Sequence, residues 1–204
     1  MNVLALCADP GVPLDGRKGA TVHLTELWRA LAGAGAGVRG VAGVRGTAPV
    51  EAPPGVEVIA VSAARDAGAA TFAGHIVAAA RAARAVPRAV QPDWILERLA
   101  LDSEAGVALA RELDIPLVVE VNAPLDEEAR RFRGVAPDDV TSARLRTTLA
   151  GADLVVCVSA ALVPWVVAHG GSALRTRVLP NGVRIAAFEG LRPEPAPGAP
   201  VRVA

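Results

Sequence analysis

Residues 2–34 read NVLALC ADPGVPLDGRKGA TVHLTELWRALAGA, and this stretch decides the fold. Residues 2–7 are apolar apart from Asn2, with none of the in-out alternation of a half-exposed strand, so both faces of this strand are predicted to be covered. Residues 21–34 place Leu24, Leu27, Trp28 and Leu31 on one helical stripe. A buried strand, a glycine-bearing loop and an amphipathic helix make the first half of a βαβ unit.

The alternation continues along the chain. Short Val-rich runs at 38–44, 56–61, 94–97, 115–121, 154–158 and 177–179 read as strands. Between them, 71–86, 103–113, 138–150 and 160–169 carry apolar residues at helical spacing and end near Gly or Pro. The pattern predicts an α/β fold: a doubly wound parallel sheet flanked by helices, with right-handed crossovers. This domain is expected over 1–188. Residues 189–200, EGLRPEPAPGAP, have the composition of a stiff extended linker, and 201–204, VRVA, read as the start of a further C-terminal domain.

Composition narrows the function. The 204 residues carry 21 basic and 21 acidic side chains, so bulk charge selects no polyelectrolyte partner. With no Tyr, three Phe and three Trp, the stacking platforms that bind single-stranded nucleic acid are missing, and no nucleic-acid partner is expected. Cys7 and Cys157 each lie within an apolar run, as reduced thiols that pack like small hydrophobes. No run approaches the roughly 20 apolar residues of a membrane span, and residues 1–7 are too short for a secretory leader. A cytoplasmic protein is expected.

Ligands of open α/β sheets bind beyond the carboxyl ends of the strands, which draws attention to the loop over 9–23. Its glycines, at 11, 16 and 19, do not form G-x-G-x-x-G. Nor is it a P-loop, because Arg17-Lys18-Gly19 follows Gly16 where Lys and then Ser or Thr are required. Its free amides, the two cations and a helix N-terminus near Ala20 suit a diphosphate; the alternative is a plain surface turn. His23, one turn into the helix, stands either at the mouth of the cleft or as a packing residue.

Later strands also deliver polar residues at their ends. These are Glu97 and Arg98 in PDWILER (92–98), Glu120 and Asn122 in IPLVVEVNAPL (115–125), Ser159 in ADLVVCVS (152–159), and Asn181 in PNGV (180–183) with Phe188 beyond it. Together with the G-x-K-G-x-x-x-H loop at 16–23, this ordered series resembles the N-terminal domain of the family 4 glycosyltransferases of the two-domain GT-B type. The resemblance runs from Met1 to about Phe188.

The resemblance implies a Rossmann-like acceptor-side domain of a retaining, metal-independent enzyme with no cofactor beyond its nucleotide-sugar substrate. Nucleotide and sugar would be held largely by a C-terminal domain, supplied in cis or in trans. Gly16 and Gly19 match the loop that approaches the donor diphosphate, with Arg17 or Lys18 adding charge. Asn122 stands where many relatives place a histidine, and an amide orients substrate but exchanges no proton near neutral pH. Glu97 and Arg98 either bind acceptor or pair with each other. Glu120 is expected to turn toward the cleft, because a carboxylate at a buried strand's end needs solvent or a partner. Ser159 reads as a helix N-cap in preference to a catalytic group. Asn181 and Gly182 read as a turn leading to the interdomain cleft. A further expectation is geometric: the loop over 11–19, Glu97, Asn122 and Ser159 should face one cleft, with His23 at its rim.

Two arginine clusters, Arg81 with Arg84 and Arg88, and Arg130 with Arg131 and Arg133 beside Phe132, suit a solvated helix face or peripheral contact with the inner face of a membrane. Two further readings are a binding module that has lost the chemistry and one subunit of a split glycosyltransferase.

Overall fold

The computed structural model describes residues 1–46, 49–62, 81, 85, 91–187 and 189. Seven strands form one sheet: β1 (Asn2–Cys7), β2 (Gly37–Val44), β3 (Val56–Ser62), β4 (Trp94–Arg98), β5 (Leu117–Val121), β6 (Leu154–Cys157) and β7 (Thr176–Val178). Their order is β3-β2-β1-β4-β5-β6-β7, and every pairing is parallel. The order reverses between β1 and β4, so the fold is the expected doubly wound sheet.

Two apolar layers cover the sheet. On one face α1 (Gly19–Gly33) buries Leu24 and Trp28 against Ala5, Cys7, Val38 and Ala42. On the other, α2 (Ala105–Leu113), α3 (Leu125–Arg133), α4 (Asp139–Gly151) and α5 (Val163–Ala168) pack onto Ile95, Leu117, Val119 and Val155. Both cysteines are free and fully buried, and burial pushes the Cys7 thiol up to about 12. These thiols pack as hydrophobes.

Several expected boundaries move for local reasons. Ile115 and Pro116 lie outside β5, because proline lacks the N–H a ladder needs, and Leu117 begins the strand with its amide donating to Asp153 Oδ2. Helix α3 was absent from the expected elements. Of the described side chains in its sequence, LDEEARRFR, only Leu125, Asp126 and Ala129 are buried, and Asp126, Glu127 and Glu128 in its first turn complement the helix dipole. The expected helix over 160–169 is split into a 3₁₀ turn, Ala160–Leu162, and the short α5 with Pro164 in its first turn. The expected helix over 71–86, the linker over 189–200, Phe188 and the strand over 201–204 fall outside the described residues, apart from Arg81, Ala85 and Glu189. No helix of the described residues is long and apolar enough to cross a membrane.

Candidate functional site

The loop after β1 is built by its own backbone. Val12 N–H donates to Asp9 O, Gly16 N–H to Pro13 O, and the Thr21 hydroxyl to Pro13 O at 2.9 Å. Asp15 fastens it to the end of β2 by accepting from the Arg45 and Gly46 amides at 2.9 and 2.6 Å. The Arg45 amide is the largest cause holding the Asp15 carboxyl below its ordinary value, helped by that of Gly46. Arg17, Lys18 and Gly19 are left exposed where the chain enters α1, and the helix has neither a side-chain cap nor an acid in its first turn. The Thr21 and Val22 amides donate back to Lys18 O, which leaves those of Gly19 and Ala20 as the free donors of the helix start.

The two glycines differ. A β-carbon at Gly16 would lie 2.6 Å from Thr21 Oγ1 and 2.9 Å from Pro13 O, so the loop's own packing requires this glycine. A β-carbon at Gly19 would meet nothing within 4 Å. Only Gly19 leaves open space for a ligand.

A second group forms where α1 passes the ends of β4 and β5. Arg98 and Glu120 are register partners on neighbouring strands and share the α1 face, with Arg98 Nη1 3.7 Å from Glu120 Oε2. His23 Nε2 lies 2.6 Å from Glu120 Oε1, and Asn122 Nδ2 donates to Oε2 at 2.8 Å. Burial works to raise the Glu120 carboxyl. The hydrogen bond and charge of His23, the Asn122 amide and the Arg98 guanidinium outweigh it and hold the group below its ordinary value. An ionised carboxylate only accepts, so His23 Nε2 carries the proton and donates.

Glu97 requires correction as a cleft residue and as a partner of Arg98. Successive strand residues point to opposite faces, so Glu97 lies under α2, away from Glu120 and Arg98. It is completely buried, with Oε1 accepting from the Ser103 hydroxyl at 3.0 Å and Oε2 without a hydrogen-bond partner. Burial pushes its carboxyl up to about 7. The structure thus brings His23, Arg98, Glu120 and Asn122 together on one face of the sheet and leaves Glu97 on the other.

Ser159 caps the 3₁₀ turn, its hydroxyl accepting from Ala161 N–H at 3.3 Å. Asn181 and Gly182 are exposed open chain and form no turn; among the described glycines, left-handed backbone occurs only at Gly35, Gly55, Gly134 and Gly170. Of the arginine clusters, Arg81 is exposed, Arg130 pairs with Asp126 at 3.0 Å, and Arg131 lies 5.3 Å from the centre of the Phe132 ring. Arg84 and Arg88 fall outside the described residues, as does the side chain of Arg133.

Residues that sequence reading missed close the site. Glu26 accepts from Arg29 Nη1 at 2.8 Å and lies 3.4 Å from Arg184 Nε, tying the segment 179–184 to α1. Between them is a cavity of about 440 Å³ bordered by His23, Glu120, Leu27, Val156 and Val183. The i, i+3 spacing of Glu26 and Arg29 was visible in the sequence, whereas the contact with Arg184 was not. Among the described residues, no three His, Cys, Asp or Glu side chains gather as a metal site.

The architecture agrees with that of known proteins. Anabaena HepE in complex with UDP and glucose matches with a TM-score of 0.54 at 18% identity, over 92% of this chain and 46% of that one. Sucrose-phosphate synthase from Thermosynechococcus elongatus matches with a TM-score of 0.67 at 19% identity, over 92% of this chain and 50% of that one. This chain thus spans about half the length of either, and the shared fold is that of one half of a GT-B enzyme. No curated protein matches it by sequence. The family model described as Glycosyltransferase Family 4 matches residues 17–187, from the basic loop to the segment beyond β7, and the chain belongs to that family.

Proposed function

We propose that this chain is the acceptor-side domain of a retaining glycosyltransferase, which moves a sugar from a nucleotide sugar to an acceptor hydroxyl. The observation that carries this reading is the arrangement around the N-terminus of α1. On one side are exposed amides with Arg17, Lys18 and an unobstructed Gly19, suited to an anionic diphosphate. On the other, one turn along the same helix, His23 and Glu120 border a cavity. Donor phosphate and acceptor would meet across that turn, with Asn122 holding Glu120 in place.

Nucleotide and sugar would be bound mainly by a C-terminal domain joined behind about residue 188 or supplied in trans. UDP-glucose is the first donor to test, since it shares UDP and glucose with the HepE complex. The 204-residue chain alone should turn over no UDP-glucose, and transfer should appear when a family 4 C-terminal domain is fused or added. Turnover by the chain alone would refute the division of labour. Absence of transfer from every nucleotide sugar in both arrangements would refute the enzyme and leave a binding module.

A further inference from the structure

The cavity between α1 and the segment 179–184 carries more positive than negative charge. Glu26, Arg29 and Arg184 border it beside His23 and Glu120. Arg29 Nη1 and Arg184 Nε both turn to Glu26, at 2.8 and 3.4 Å, and Arg98 Nη1 lies 3.7 Å from Glu120 Oε2. Among the described residues, three guanidiniums thus share two carboxylates, before any charge on His23 is counted.

Hydrogen bonding is unbalanced in the same sense. Arg29 Nε and Arg98 Nη1 are buried and have no hydrogen-bond partner among the described residues, and Glu120 already accepts from His23 Nε2 and Asn122 Nδ2. A buried cationic N–H left without an acceptor is costly. An anion with several acceptor oxygens relieves both the charge and the hydrogen bonding, which a neutral sugar or an aliphatic chain does not. A phosphate monoester, with three oxygens and close to two charges near neutral pH, can bridge Arg29 and Arg184, whereas a carboxylate brings two oxygens and one charge.

The remaining wall, Leu27, Val156 and Val183, is aliphatic and suits a carbon skeleton. Glu26, where the two guanidiniums meet, follows His23 by about 5 Å along α1, a span that one sugar ring covers. Resting on the acceptor-side reading above, we propose that this cavity takes a phosphorylated sugar as acceptor, its phosphate bridging Arg29 and Arg184 and a hydroxyl reaching His23. Glu26 holds both guanidiniums in place and offsets one of their charges.

The test uses the 204-residue chain labelled with ¹⁵N at about pH 7.5, where a phosphate monoester is close to doubly charged. The Nε–H signal of Arg29, assigned by its loss in Arg29→Lys, is expected to shift saturably with glucose 6-phosphate and not with glucose. Inorganic phosphate should move that signal alone, whereas glucose 6-phosphate should also move the ring nitrogens of His23, assigned by His23→Gln. The Arg184 side chain is 52% exposed, so Arg184→Gln spares the fold, and it should weaken glucose 6-phosphate about tenfold. Glu26→Gln keeps an oxygen for Arg29 and removes a competing charge, and should tighten glucose 6-phosphate about threefold.

No saturable shift of the Arg29 signal, an equal response to glucose, or weaker binding in Glu26→Gln overturns the proposal. A response to phosphatidate in phosphatidylcholine vesicles, with none to glucose 6-phosphate, also overturns it and assigns the phosphate to a lipid head group. Transfer to an uncharged sugar once a C-terminal domain is supplied, with the Arg29 signal unmoved by glucose 6-phosphate, would overturn the phosphorylated class and leave the acceptor-side reading intact. Conversely, the expected shifts in a chain that never supports transfer would uphold the cavity's ligand class and remove the enzyme reading.

Discussion

Gly106 and Glu97 are packed as a pair. A β-carbon built on Gly106 would overlap Glu97 Oε2 and lie 2.9 Å from the carboxyl carbon and 3.1 Å from Glu97 Cβ. Gly106 lies in the first turn of α2, where alanine would ordinarily gain about 1 kcal/mol in helix propensity. Here the whole Glu97 side chain is buried and cannot swing aside, and overpacking of that kind costs about 1–3 kcal/mol. Gly106→Ala is therefore expected to lower stability, by about 1 kcal/mol net, measured as a fall in the urea midpoint at unchanged slope. A raised midpoint would show that the carboxyl has room to move.

The same carboxyl makes stability depend on pH. Burial raises Glu97 from 4.5 to about 7, so between those values the folded state holds a proton that the unfolded state has released. The stability this contributes is fully present below pH 4.5 and is lost as pH rises through 7. A shift of that size corresponds to about 3 kcal/mol. Glu97→Gln keeps an oxygen for the Ser103 hydroxyl and has no proton to lose. Denaturation at pH 5 and pH 8 should show wild-type stability falling relative to the variant, and parallel curves would place Glu97 in a wetter environment.

Trp28 and Gly40 join α1 to the sheet. The Trp28 side chain is 1% exposed, and its six-membered ring occupies the place a Gly40 side chain would fill. Gly40→Ala must push the ring, and with it α1, off β2, at a cost of about 1–3 kcal/mol. Because α1 also carries His23, the shift should break the His23–Glu120 contact along with the packing. A thermal midpoint within about 1 °C of wild type, with unchanged tryptophan emission, would mean that the helix tolerates the extra carbon.

What was legible follows from burial. Strands closed on both faces are apolar throughout, so β1 could be bounded from sequence to the residue. Helix α1 showed itself through Leu24 and Trp28 on one stripe, whereas α3 buries too little apolar surface to announce itself among DEEARRFR. The site was legible as a set of strand ends but not as contacts. His23 and Glu120 meet across 97 positions, and no local spacing signals such a pair. The opposite facing of Glu97 and Arg98 follows from strand alternation, but which of them would join Glu120 depended on the register of β4 against β5.

Gly16 and Gly19 stand three positions apart in one loop, yet substitution should separate them. At Gly16 any side chain collides with Thr21 Oγ1 and Pro13 O, which are themselves joined by the hydrogen bond that closes the loop. Gly16→Val should therefore loosen the loop, and the Arg45 and Gly46 amides held by Asp15 should exchange with deuterium faster. Gly19→Ala meets empty space and replaces glycine at the start of a helix, so stability should hold or rise by a few tenths of a kcal/mol. With a donor-binding domain supplied, the added methyl group would stand where a diphosphate comes closest to the backbone. Gly19→Ala is then expected to raise the KM for nucleotide sugar about tenfold with little change in the KM for acceptor. An unchanged donor KM in a folded Gly19→Ala protein would take the diphosphate away from this loop.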